Sequence, residues 1–176
     1  MRKLSLALLF LCFAIPALAE VKPYFTPSLD CERRIIELID NAEESVDAAV
    51  YSISNKEITA ALKRAHDRGL KIRILTDKLQ AVGKYSTVSD LYAYGLNIRV
   101  NSKHKIEHNK VAIFDSAKVV TGSYNWTDAA THKNSENCLF ILRNKKAIAE
   151  YVERFEYLWE VNTKAKSDEW FERRKE

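Results

Sequence analysis

The chain has 176 residues, 47% of them hydrophobic, with 28 basic and 24 acidic side chains and a formal charge of +4. That length suits one domain with a real core. A charge so near neutral excludes any argument for an anionic partner from bulk electrostatics, so only local clustering can make one.

Arg2 and Lys3 precede an apolar run from Leu4 to Ile15, followed by Pro16 and Ala17-Leu18-Ala19. A charged start, an apolar middle and a small-residue cleavage site predict a secretory signal peptide over residues 1–19. The run is short for a bilayer span; a retained N-terminal anchor is the alternative. Leu11 before Cys12 is too bulky for a lipoprotein signal. The expected mature domain is 20–176, periplasmic or secreted, with no stable membrane insertion once the leader is gone. Its charge is +2, with 26 basic residues against 24 acidic after Arg2 and Lys3 are lost. Cys31 and Cys138 either pair in that oxidising setting or stay as two buried thiols.

In chain order, Thr26-Pro27 predicts a helix start, with Ile35, Leu38, Ile39 and Ala42 at helical spacing behind it. Residues 45–53 read as a buried strand. Residues 57–68 form an amphipathic helix ended by Gly69. Residues 70–76 alternate as a strand, and 78–86 form a loop. Thr87 with Asp90 caps a short helix that Gly95 ends. Strands follow at 97–100, 110–114, 118–121 and 137–142. A helix carrying Ile148, Val152, Phe155 and Trp159 on one stripe comes last, before a charged, fraying end. The alternation predicts an α/β fold, a mixed β-sheet sandwiched by helices.

The chemistry lies in His108-Asn109-Lys110 and Gly122-Ser123-Tyr124-Asn125. Residues two apart on a strand share a face, so His108 and Lys110 project together. Ser123 and Asn125 obey the same parity on the neighbouring strand or its exit. A neutral imidazole can attack phosphorus while Lys110, Asn125 and the Ser123 hydroxyl hold the phosphate oxygens. Gly122 lets the backbone approach closely. Nothing in this set requires a metal or other cofactor. His66, near a helix C-terminus, and His132, in a polar loop, read as solvated.

The pattern His108-x-Lys110-x4-Asp115-x6-Gly122-Ser123-x-Asn125 resembles the HKD signature of the phospholipase D superfamily. The chain closely resembles its small secreted bacterial members, which carry one such motif and act as endonucleases. The likeness includes Val50-Tyr51-Ser52-Ile53, the strand from Leu70 to Asp77, and Ser135-Glu136-Asn137. It implies a phospholipase D-like fold and a phosphohistidine formed on His108. Lys110, Ser123 and Asn125 would bind phosphate, and Glu136 would orient His108. Asp115 would be structural, holding the turn at Ser116-Ala117.

That mechanism needs two imidazoles, and the motif occurs once. The simplest answer is a homodimer with the active site at the two-fold interface. A monomer using His104 as its acid is disfavoured, because four extended residues span roughly 13 Å. His104-x-x-Glu107-His108 also matches an inverted zinc-peptidase pattern, but that pattern needs a helix and its flanks read as strands. Lys103, Lys105 and Lys110 cluster at the site, with Lys78, Lys84 and Lys133 in loops, and Tyr124 and Trp126 are candidates for base stacking. The expected function is a sequence-nonspecific endonuclease acting on DNA or RNA. The alternatives are a lipid phosphodiesterase and an inactive nucleic-acid-binding dimer.

Overall fold

The computed structural model describes residues 19–174. The predicted leader, apart from Ala19, lies outside the described residues. Among these residues, no helix is long and apolar enough to cross a membrane.

Among the described residues, seven strands form one sheet: β1 (Glu20–Phe25), β2 (Ser45–Val50), β3 (Lys71–Thr76), β4 (Asn97–Val100), β5 (Lys110–Phe114), β6 (Lys118–Gly122) and β7 (Asn137–Leu142). Their order is β1-β7-β6-β5-β2-β3-β4, with β2, β3 and β4 parallel and the remaining pairs antiparallel. The helices are α1 (Asp30–Asp40), α2 (Lys56–Asp67), α3 (Val88–Ala93), α4 (Asp128–His132), α5 (Lys145–Val161) and α6 (Lys164–Glu172). The α/β sandwich expected from the alternation is therefore present.

Strand periodicity sorts the core onto two faces. Val46, Ala48, Val50, Ile74, Ala112, Phe114 and Val120 pack with Ile35 and Ile39 of α1 and Ile58 and Leu62 of α2. Ala49, Leu75, Ile113 and Val119 face the other way, against Phe155, Leu158 and Trp159 of α5. Arg73 also lies under α5, where its guanidinium binds both oxygens of Asp47 at 2.6 and 2.7 Å and reaches Glu156 at 2.6 Å. Arg73 of β3 is thus covered and paired, as a buried ion group must be.

Several local expectations change in three dimensions. Helix α1 begins at Asp30, after a cis Thr26–Pro27 bond. The Thr26 hydroxyl donates to the Asn134 carbonyl at 2.8 Å and accepts from the Glu136 amide at 2.9 Å. Thr26 therefore ties the end of β1 to the loop before β7 and caps nothing. Strand β1 itself has an exposed edge pattern containing Pro23, with no apolar alternation to announce it. Thr87 bonds Thr59 at 2.7 Å, and Asp90 pairs with Lys63, so neither forms the predicted cap. The charged C-terminal stretch is helical as α6, with Phe171 buried and stacked on Tyr92 at 3.9 Å. Cys31 and Cys138 form a disulfide joining the first turn of α1 to the start of β7.

Candidate active site

The strand order brings the carboxyl ends of β2, β3, β4 and β6 and the amino ends of β5 and β7 to one end of the sheet. Every residue assigned to phosphate chemistry from the sequence lies there. Lys110 is the first residue of β5, opposite Val50. The Tyr51 amide donates to the Asn109 carbonyl at 2.8 Å and extends that ladder one step. His108 follows, exposed, with its ring 4.7 Å from that of Tyr51 at 60°. The Lys110 ammonium donates to the His108 carbonyl at 2.7 Å and lies 4.9 Å over the Tyr51 ring. Burial lowers the Lys110 pKa from its usual value, against the pull of the Glu136 and Glu107 carboxylates.

The segment holding His108 is irregular but firmly tied. The Asn101 side chain bonds the His104 carbonyl at 2.8 Å and the His104 amide at 3.0 Å. Asp77 accepts from the Glu107 amide at 3.2 Å, and Glu107 accepts from the Asn109 amide at 3.2 Å. Both carboxylates are 2% exposed. The H-x-x-E-H pattern has no helix here, and Glu107 is turned inward. Among the described residues, no cluster of three or more His, Cys, Asp or Glu side chains is arranged to hold a metal.

Ser123 and Asn125 are placed by loop hydrogen bonds rather than strand parity, since β6 ends at Gly122. The Ser123 and Tyr124 amides both donate to the Asn137 carbonyl at 3.1 Å. The Ser123 hydroxyl accepts from the Asn137 amide at 3.0 Å, which leaves its proton for another acceptor. Trp126 binds the exit of β2: its amide donates to Ser52 at 3.2 Å, and its carbonyl accepts from Ser54 and Asn55. Asn125 is carried to the same place. Its Oδ1 is buried without a hydrogen-bond partner, an uncommon state for a buried polar atom.

Two expectations need correction, and the structural roles expected of Gly122 and Asp115 gain their partners. Tyr124 and Trp126 are each 2% exposed and belong to the core, so they are not free to stack on bases. Gly122, at φ 141°, is demanded by its own sheet: a Cβ there would lie 2.4 Å from the Asn137 carbonyl oxygen. Asp115, at the far end of the sheet, does not hold its own turn, which Ala117 closes onto Phe114. Its carboxylate instead accepts from the amides of Glu43, Glu44 and Ser45 at 2.8–3.2 Å. Finally, Glu136 accepts from Asn134 at 3.0 Å and makes no hydrogen bond to His108 within the chain. Lys103 and Lys105 are exposed on the loop before His108, as a substrate-facing role requires.

Residues to which the sequence reading gave no role in phosphate chemistry also build this end: Tyr51, Asp77, Asn101, Glu107 and Asn109. The available signal was a tyrosine or aspartate closing an otherwise apolar strand.

Residues 35–159 match the family model described as cardiolipin synthase, PLD-like domain. The chain is 40% identical over 123 residues to a phospholipase D of Rickettsia conorii, covering 70% of this chain and 62% of that one. Among solved structures it is similar to Nuc of Salmonella typhimurium, a phospholipase D family member, with 30% identity and a TM-score of 0.77. That alignment covers 83% of this chain and 97% of Nuc. NucT from Helicobacter pylori aligns with 27% identity and a TM-score of 0.74, over 80% and 96% of the two chains. The chain belongs to the phospholipase D superfamily. It spans 62% of the Rickettsia conorii relative and 66% of a second phospholipase D, from Rickettsia prowazekii.

Proposed function

We propose that this protein is a phosphodiester hydrolase whose substrate is nucleic acid, cut without base specificity through a phosphohistidine on His108. The observation that carries the reading is the collection of His108, Lys110, Ser123 and Asn125 at one end of the sheet, where the His108 ring and the Asn125 Oδ1 make no hydrogen bond among the described residues. An imidazole free of hydrogen bonds is available as a nucleophile. Lys110, Ser123 and Asn125 are donors suited to the non-bridging oxygens, where charge grows in the transition state. A second imidazole is needed to protonate the leaving oxygen, and a two-fold dimer sharing one phosphate between two His108 side chains supplies it.

A polymer needs an open surface, and the site is open. The cavity beside it, lined by Asn109, Val111 and Arg154, holds only about 40 Å³. A larger cavity, about 810 Å³, lies between α3 and α6, and no residue of the site lines it. Lys78, Lys84, Lys103 and Lys105 are exposed on the loops that follow β3 and β4, at the same end as His108. Nuc and NucT align over nearly their whole lengths, which makes them the relatives of matching size. The leader expected over residues 1–19 and the Cys31–Cys138 disulfide are the grounds for proposing action outside the cytoplasm.

One observation favours the lipid alternative. Leu79, Tyr85 and Ile106 are exposed among those lysines and would suit a membrane surface. Plasmid nicking tests the reading: His108→Ala should lower the rate at least about 1000-fold. Equal nicking by both proteins removes the assignment. Choline release from phosphatidylcholine vesicles, without nicking, moves the substrate to lipid.

A further inference from the structure

His108 makes no hydrogen bond through its ring to any described residue, and Glu136 is occupied by Asn134. An imidazole without a hydrogen bond turns readily about its Cβ–Cγ bond, since the χ2 energy wells are broad. The one ring contact that restrains it is Tyr51, at 4.7 Å and 60°, within the range of favourable edge-to-face pairs. The same ring carries the Lys110 ammonium 4.9 Å from its centroid.

Tyr51 is itself fixed. Its amide is bonded to Asn109, and its carbonyl accepts from the Thr76 hydroxyl at 3.2 Å. It is half-buried, and its hydroxyl has no hydrogen-bond partner among the described residues. The fold therefore uses the ring and leaves the hydroxyl idle. One donor of Lys110 goes to the His108 carbonyl, so two remain for an anion.

We propose that Tyr51 is a positioning residue, whose ring holds the His108 imidazole and the Lys110 ammonium in one fixed mutual arrangement. This rests on the phosphodiesterase reading and adds the device that aligns attacker and phosphate clamp. Without the ring, the imidazole rotates and the ammonium is drawn toward the Glu107 and Glu136 carboxylates. Displacements of about 1 Å at a reacting centre cost about 100-fold in rate.

The test compares Tyr51→Phe and Tyr51→Leu with wild type, using bis-p-nitrophenyl phosphate as substrate. Thermal melts and the ¹H–¹³C imidazole spectrum of His108, assigned with His108→Ala, are recorded alongside. Tyr51→Phe should keep kcat within about threefold and preserve the ring-current displacement of the His108 signals. Tyr51→Leu should lower kcat about 10- to 100-fold at an unchanged melting temperature, with those signals moved to free-imidazole positions. Wild-type kcat in Tyr51→Leu overturns the proposal. So does Tyr51→Phe losing as much as Tyr51→Leu, because the hydroxyl would then be the working group. Wild type inert toward the diester, with the spectral pattern intact, removes the phosphodiesterase reading and with it the role of Tyr51 in attack.

Discussion

The two ends of the same sheet treat their polar groups in opposite ways. At the far end, Asp115 accepts from three backbone amides and has no further task. At the near end, the Asn125 oxygen is buried without a partner, the His108 ring has no hydrogen bond, and Lys110 is partly desolvated. The far end spends Asp115 on holding the chain together; the near end ties its loop through Asn101, Asp77 and Glu107 and still keeps the groups assigned to phosphate available. Substitutions that separate stability from activity should therefore sort by end.

The sharpest break is expected at Asn125. Asn125→Leu removes an unpaired acceptor together with a phosphate donor. Diesterase activity should fall about 100-fold or more, while the melting temperature stays level or rises. A clear loss of stability would mean that the amide is structural and the two ends are alike.

The disulfide tests how far the near end depends on its anchor. It closes a separation of 107 residues, and Cys138 stands two positions after Glu136. The Cys31→Ser/Cys138→Ser double variant should lose about 3–5 kcal/mol of stability in denaturant melts. Unchanged stability would remove that anchor from the account.

Asp115 should show the smallest effect. Burial raises its pKa, but the amides of Ser45, Glu44 and Glu43 outweigh that and hold the carboxyl below the ordinary aspartate range. Its stabilisation is then fully present above about pH 4 and fades as pH falls through the lowered value. Asp115→Asn should cost about 1–2 kcal/mol at neutral pH, with kcat unchanged. The gap from wild type should narrow in acid. A gap that widens in acid, or a kcat loss without a stability loss, would place Asp115 with the other end.

Much of this was legible in the chain. Helical spacing marked α1 and α2, and apolar runs marked β2 and β7, because such periodicities are local. Lys110 opens β5 and His108 stands two residues before it, so their pairing was also local. Tyr124 and Trp126 were not legible: an aromatic beside a motif reads the same whether it faces solvent or plugs the exit of β2. Arg73 was similarly ambiguous, since alternation shows two faces of a strand but not whether a helix covers the second.

By itself the sequence determined the phosphate-suited residues, their family signature and the α/β alternation, all of which depend on neighbours a few positions apart. Only the tertiary structure decided that Cys31 meets Cys138, that Gly122 lies against Asn137, and that Tyr51 stands beside His108 and Lys110. Those contacts follow from strand order and register. Both are set by the burial of two sheet faces at once, which no local stretch of chain encodes.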